Sequence, residues 1–402
     1  METRVRPRGT EHPEDGATGF APAVHRADLF LYVPVLLLAA VLFEVQATSK
    51  TYIAELQPHL DLVRRIAEDG AWSTVPHPGF HWMVLGLSLV TGLGLGPVAV
   101  GLLSVFAVVI SWMLLSVLRA RLGGLYSDGQ LAAAGAGLML ASAIWLPWFS
   151  HAFYLGQGTP NFWAVPTLVV VKPFALLSVL LFLYRERPSA RPPSLRSAVL
   201  LSGVLLVGAV LKPNFALAFF PSAGLFMLVR QAGLRRILGF AVISIPTLAL
   251  LLAQHAVWYG GRSGDIQLTF FGVWRQYTPS VPVSLLLATA FPLALLLTRF
   301  RLAVRDDRLL FCWIFTLVSF LQFAFLAEKR FFGAGNFSWA WNIALWFLFL
   351  FSAADFLRRL KEEAFDRAGQ RIWRATVGSL FVLHVVSGVA YLVRQLLGLG
   401  YF

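Results

Sequence analysis

The chain contains one cysteine, Cys312, so it forms no disulfide of its own. Cys312 lies inside an apolar run, where a lone thiol is a packing group. Charge is also scarce. Asp, Glu, Lys and Arg make up only 13% of the 402 residues, against 58% hydrophobic. Whole stretches, such as Leu131–Ser150 and Val199–Leu211, carry no charge. That composition excludes an ordinary soluble core and marks a polytopic membrane protein. No unit of 20–50 residues repeats, and no two halves carry matching interrupted helices, which speaks against an inverted-repeat transporter. There is no His-Glu-x-x-His motif, so a zinc protease is not supported.

What charge there is has one sign in excess, a net +13. Nucleic acid is the wrong partner to infer from it, because the basic residues sit in short loops between apolar spans, as membrane topology requires. Windows of about 20 apolar residues predict about eleven transmembrane helices, near 28–47, 96–118, 131–150, 167–184, 198–211, 214–230, 237–257, 282–298, 309–327, 337–354 and 375–396. The polar residues 1–27 read as a disordered cytoplasmic tail, and 28–402 as a single all-α transmembrane domain. The run Phe80–Leu95 is the decisive one. If it crosses, the Arg-rich loops Tyr184–Arg196, Arg299–Arg308 and Arg358–Arg374 face outward, against the positive-inside rule. Read as a juxtamembrane helix that does not cross, it gives N-in, C-out topology. The outer segments are then 48–95, 151–166, 258–281 and 328–339.

The chemistry-bearing residues gather in these outer segments. Within Thr51–Met83, Glu55 and His59 are four apart, as are His77 and His81, a spacing that places each pair on one helix face. A carboxylate there suits a general base or a divalent-cation ligand. Asp61 is the rival carboxylate, although Arg64 and Arg65 stand ready to pair with it. The two histidines suit a metal or a phosphate group, and a metal set would draw on Glu55, His59 and His81. In the second loop, Gln157, Asn161 and Trp163 offer amides and an indole to a sugar. An interfacial aromatic belt explains Trp163 equally well. Lys172 and Lys212, each followed by proline, are cations near outer span ends, where they either bind an anion or snorkel to head groups. Arg330, beside Glu328 and Lys329, adds to a phosphate site.

Several of these segments resemble the GT-C superfamily of integral-membrane glycosyltransferases. The resemblance rests on Glu55-Leu56-Gln57-Pro58-His59-Leu60, His77-Pro78-Gly79-Phe80-His81, Gln157-Gly158-Thr159-Pro160-Asn161-Phe162-Trp163, Lys172-Pro173-Phe174 and Gly335-Asn336-Phe337-Ser338-Trp339. It implies a bacterial inner-membrane enzyme that moves a sugar from a polyprenyl-phosphate donor to a glycan or lipid acceptor on the outer face. The family usually carries Asp in the first outer loop; the matching register here places Glu55, with Asp61 as the rival. Lys172, Lys212 and Arg330 would hold the phosphate. His59, His77 and His81 would position the base, touch phosphate or bind a cation such as Mg or Mn. Gln157, Asn161 and Trp163 would line the sugar pocket. A flippase of lipid-linked glycans, or a polysaccharide polymerase or ligase, are the competing readings. The clustering of polar groups on one side favours the transferase.

Overall fold

A computed structural model describes residues 26–49, 54–70, 77–150, 158–161, 163–186, 194–259, 266–329, 332–363 and 368–399. Nearly the whole of the expected tail, together with Gln157 and Arg330, lies outside them. Fourteen helices are described: α1 Arg26–Thr48, α2 Leu56–Asp69, α3 Gly79–Thr91, α4 Leu95–Leu122, α5 Asp128–Leu140, α6 Pro166–Arg185, α7 Leu195–Leu211, α8 Pro213–Val229, α9 Leu234–Tyr259, α10 Trp274–Tyr277, α11 Val281–Arg305, α12 Asp307–Phe325, α13 Ser338–Glu362 and α14 Ala368–Leu396. Two three-residue strands, β1 Ile266–Leu268 and β2 Leu326–Glu328, pair antiparallel.

Among the described residues, eight helices are long and apolar enough to cross a membrane: α1, α4, α6, α9, α11, α12, α13 and α14. The other three expected spans coincide with shorter helices, α5 with 13 residues and α7 and α8 with 17 each. At 1.5 Å per residue, α3 is only about 20 Å long, against about 30 Å of hydrocarbon.

Helix α13 is the axis of the bundle. It packs against α4, α6, α8, α11 and α12, and 94% of its apolar span is buried, compared with 28% for α9 and 33% for α1 and α14. Those three present an apolar face outward, as lipid-facing helices do. Beside α13, Phe182 of α6 meets Phe219, Phe226, Phe240 and Phe311 with ring centroids 5.2–5.9 Å apart. Edge-on and tilted aromatic contacts at these distances are favourable beyond the area they bury.

The two ends of the bundle differ chemically. At one end, arginines pair with aspartates: Arg119 with Asp28 and Asp128, Arg121 with Asp306, and Arg230 with Asp307. These residues mark the start of α1, the end of α4 and the start of α12. The loop after α1, the start of α6 and the break between α7 and α8 lie at the other end, where Glu55, the histidines and Lys212 collect.

The span expected over 131–150 is corrected here. Helix α5 stops at Leu140, and the chain continues extended because α14 and α11 take over its backbone bonds. The Ser142 amide donates to the His384 carbonyl at 3.1 Å, and the Ile144 amide to the Leu287 carbonyl at 3.0 Å. The His384 ring donates from Nδ1 to the Ser142 carbonyl at 2.6 Å, and Ser387 Oγ accepts from the Trp145 amide at 3.0 Å. Hydropathy cannot register such a break, since the residues stay apolar while their hydrogen bonds change partner.

Gly388 makes this exchange possible. A Cβ there would lie 1.5 Å from the Leu140 carbonyl oxygen, whereas Gly101 has nothing within 4 Å of the same position. Gly388→Ala should therefore destabilise the protein by about 2–3 kcal/mol, and Gly101→Ala should be neutral or slightly stabilising. Monodisperse protein remaining after heating in detergent measures both. Equal behaviour of the two variants would remove the close contact from the account.

Candidate functional site

Helix α2 is amphipathic, burying Leu56, Leu60, Val63 and Ile66 and ending at Gly70 with φ 61°. Glu55 stands at its N-terminal edge, fixed by its own amide donating to the Ala164 carbonyl at 3.0 Å, just ahead of α6. One turn on, His59 brings Nε2 to 3.8 Å from Glu55 Oε2. Its other nitrogen, Nδ1, lies 2.9 Å from His81 Nε2 on α3. One proton serves that nitrogen–nitrogen contact, so the two rings hold each other in complementary tautomers.

Glycine decides how α3 arrives. A Cβ on Gly79 would meet Leu211 Cδ2 at 2.9 Å and the Val210 carbonyl oxygen at 3.0 Å. Without one, the start of α3 lies flat against the end of α7, next to Lys212. Lys212 itself is the break between α7 and α8, extended at φ −160°, with Pro213 opening α8. Proline suits a first helical position because no partner is needed for its nitrogen there.

Lys212 is 3% exposed. Its Nζ donates to Thr167 Oγ1 at 2.8 Å and lies 4.8 Å from the centre of the Trp339 ring. Burial pushes its ammonium down to about 8, with the Glu55 charge pulling the other way. Burial likewise drives the imidazoles down. His81 falls to about 4 through burial and then Lys212. His59 falls well below its ordinary value through burial, His81, Lys212 and His77, and His77 through burial, Lys212 and His81. At neutral pH the cluster thus holds three neutral rings and one ammonium beside Glu55.

Next to it opens a cavity of about 180 Å³ whose polar lining is His77, Lys212, Asn214, Gln254, His255, Glu328 and Asn336. Trp339 backs the ammonium, and Leu217, Leu251 and Ile266 supply apolar wall. Asn336 ties the polar wall together. Its Nδ2 donates to Glu328 Oε2 at 2.9 Å, and its carbonyl accepts from Asn214 Nδ2 at 2.8 Å. Its Oδ1 receives the Trp339 indole at 3.4 Å.

The structure therefore brings Glu55, His59, His77, His81 and Lys212 together. Other expected site residues lie elsewhere. Asp61 is exposed and paired with Arg64. Trp163 is fully buried, donating Nε1 to the Met139 carbonyl at 2.8 Å. Asn161 is 1% exposed, and its Oδ1 accepts from the Trp163 amide at 2.8 Å. Lys172 is fully buried, donates to the Pro160 carbonyl at 2.9 Å and lies 4.9 Å from the Trp346 ring centre. Asn161, Trp163 and Lys172 thus work as struts for a segment wound into the bundle, because Gly158 at φ 68° passes where a Cβ would strike the Trp341 indole. Asn214, Gln254 and His255 are cavity residues outside the sequence candidates; for Asn214 the signal available was its place two residues after Lys212.

No group of three or more His, Cys, Asp or Glu able to hold a metal occurs among the described residues. Glu55, His59 and His81 offer one carboxylate and two rings that face each other, a poor match to the oxygen-rich sets that Mg and Mn favour. Comparison with protein-family models, curated proteins and solved structures finds no match to this chain.

A histidine that stays neutral in the fold but protonates when unfolded makes stability fall on acidification. For His81 that loss runs from pH 6.5 down to about 4, and His59 and His77 add in the same direction. We expect a loss of a few kcal/mol between pH 7 and pH 5, read as reduced survival on heating. His59→Asn with His81→Asn should flatten the profile. A wild-type curve already flat over this range would contradict neutral rings.

Proposed function

We propose that this protein is a membrane glycosyltransferase, moving a sugar from a polyprenyl-phosphate donor to a hydroxyl of a glycan or lipid acceptor. The observation that carries the reading is the meeting of a carboxylate and a buried ammonium beside an amide-lined cavity, contributed by α2, α3, the α7–α8 break, α9, β2 and α13, at the end of the bundle opposite the Arg–Asp pairs. In this reading that end faces the outside of a bacterial inner membrane. The arginine-rich end then faces the cytoplasm, as the positive-inside rule asks. The eleven-crossing, N-in and C-out arrangement belongs to the same proposal, with residues 128–150 crossing as α5 plus the extended segment after it and α3 lying along the interface.

Each residue type fits a task. Glu55 accepts the acceptor's hydroxyl proton as its oxygen attacks the anomeric carbon. The carbon–oxygen bond to phosphate breaks, and the bonding pair leaves with the phosphate, whose growing charge faces Lys212. The ammonium is buried beside Thr167 and the Trp339 ring, so it meets phosphate with little competing water. His59 and His81, braced against each other, hold the carboxylate's neighbourhood fixed. A single displacement of this kind inverts the anomeric centre.

Transfer by the purified protein in liposomes, with a panel of polyprenyl-phosphate sugars, tests the reading. Glu55→Gln should lower kcat/KM by about 10²–10⁴-fold, and Asp61→Asn should leave it within about twofold. Because Lys212 loses its proton above about pH 8, wild-type kcat/KM should fall as pH rises through that value. Lys212→Arg should move this limb upward. If Asp61→Asn abolishes transfer while Glu55→Gln does not, the assignment of the base is wrong. Movement of the intact lipid-linked glycan across the bilayer, with no transfer, would instead favour the flippase reading.

A further inference from the structure

The cavity is lined by both Lys212 and Glu328, and the proposed reaction uses only Lys212. Glu328 stands on β2, where pairing with Ile266 of β1 sets its register. The two are joined by a continuous polar wall. Asn214, two residues beyond Lys212, donates to the Asn336 carbonyl at 2.8 Å, and Asn336 Nδ2 donates to Glu328 Oε2 at 2.9 Å.

We infer that Glu328, with Asn214 alongside and Asn336 as its positioning residue, is the subsite that recognises the sugar hydroxyls, and that it orients the ligand against Lys212. The chemistry selects this class. An ionised carboxylate is an acceptor-only group that takes hydroxyl donors on both oxygens, and such charge-assisted bonds are the strong ones. It repels phosphate, which is drawn to the Lys212 ammonium. A ligand with a phosphate at one end and several hydroxyls at the other therefore enters in one orientation. A cavity of about 180 Å³ suits one monosaccharide-sized group.

Neither Trp163, expected at the sugar, nor Trp339, beside the cavity, offers a ring face. Trp163 is wholly buried, and Trp339 is 4% exposed with Lys212 over its ring. Recognition through hydrogen bonds follows from that. The inference rests on the glycosyl-phosphate reading for the identity of its ligand, and it moves sugar selection from the second outer loop to β2 and the start of α13.

Binding without turnover separates the two. The purified full chain in detergent would be titrated with inorganic phosphate and with a set of hexose 1-phosphates, followed by calorimetry. Wild type should bind at least one hexose 1-phosphate about tenfold or more tightly than phosphate. Glu328→Gln should remove that preference while holding phosphate as well as wild type or better. That retained affinity also reports a folded protein. Asn336→Ala should reproduce the effect, and it stands in if Glu328→Gln does not survive purification. Lys212→Gln should weaken both ligands. A wild type that binds phosphate but shows no preference for hexose phosphates, or a Glu328→Gln variant that keeps the preference, overturns the sugar subsite and leaves the phosphate site standing. Failure of wild type to bind phosphate at all overturns the glycosyl-phosphate reading as well.

Discussion

A backbone amide or carbonyl in hydrocarbon costs several kcal/mol unless something bonds to it. This chain interrupts its helices at two described points and meets that constraint at both. After Leu140, α11 and α14 supply the partners: the Leu287 and His384 carbonyls, the His384 ring and Ser387. At Lys212, the amide still donates to Gly208 at 2.8 Å, the Lys212 carbonyl receives the Phe215 amide at 3.2 Å, and proline needs no partner. The first break draws the Thr159 region into the bundle, where Thr159 Oγ1 accepts from the Ala143 amide at 3.2 Å. The second break delivers a cation to the cavity. The buried Thr159 segment and the cation of the cavity thus both depend on where backbone hydrogen bonding can be handed from one segment to another.

The electrostatics of the cavity follow from the same economy of polar groups. A buried ammonium held by a hydroxyl and an indole face keeps its charge available, because neither neighbour neutralises it. Three neutral imidazoles pack nearby without adding positive charge that would compete for an anion. Glu55 sits at the edge of this arrangement, fixed at its backbone by Ala164 and close enough for its charge to raise the affinity of Lys212 for its proton.

Much of this was legible in the sequence, for identifiable reasons. The four-residue spacing of Glu55 with His59 is local, and the first turn of α2 carries it into space; His77 precedes α3, which carries His81. Lys212-Pro213 announced a helix break because proline has no amide hydrogen. The apolar windows fell on helices because composition controls burial in lipid. That Lys172, Trp163 and Asn161 lie buried away from the cavity is not legible in sequence, since a buried strut and a ligand-binding group use the same side chains and differ only in what they face. The early end of α5 was invisible because its cause lies in α11 and α14, more than 140 residues downstream. Glu328 was readable only as a charge beside other charges until Asn336 and Asn214 gave it a wall.

Helix α13 lies at the centre of the bundle yet is the last but one of the described helices. Nine of the eleven proposed spans precede it, and their faces that receive it are, until it arrives, open to lipid or to one another. Assembly therefore ends with a threading step, in which the most enclosed segment displaces whatever has occupied the middle. Asn336 and Trp339 travel at its leading edge, so the cavity closes at the same moment. The enclosure of α13 and the closing of the cavity are thus one event.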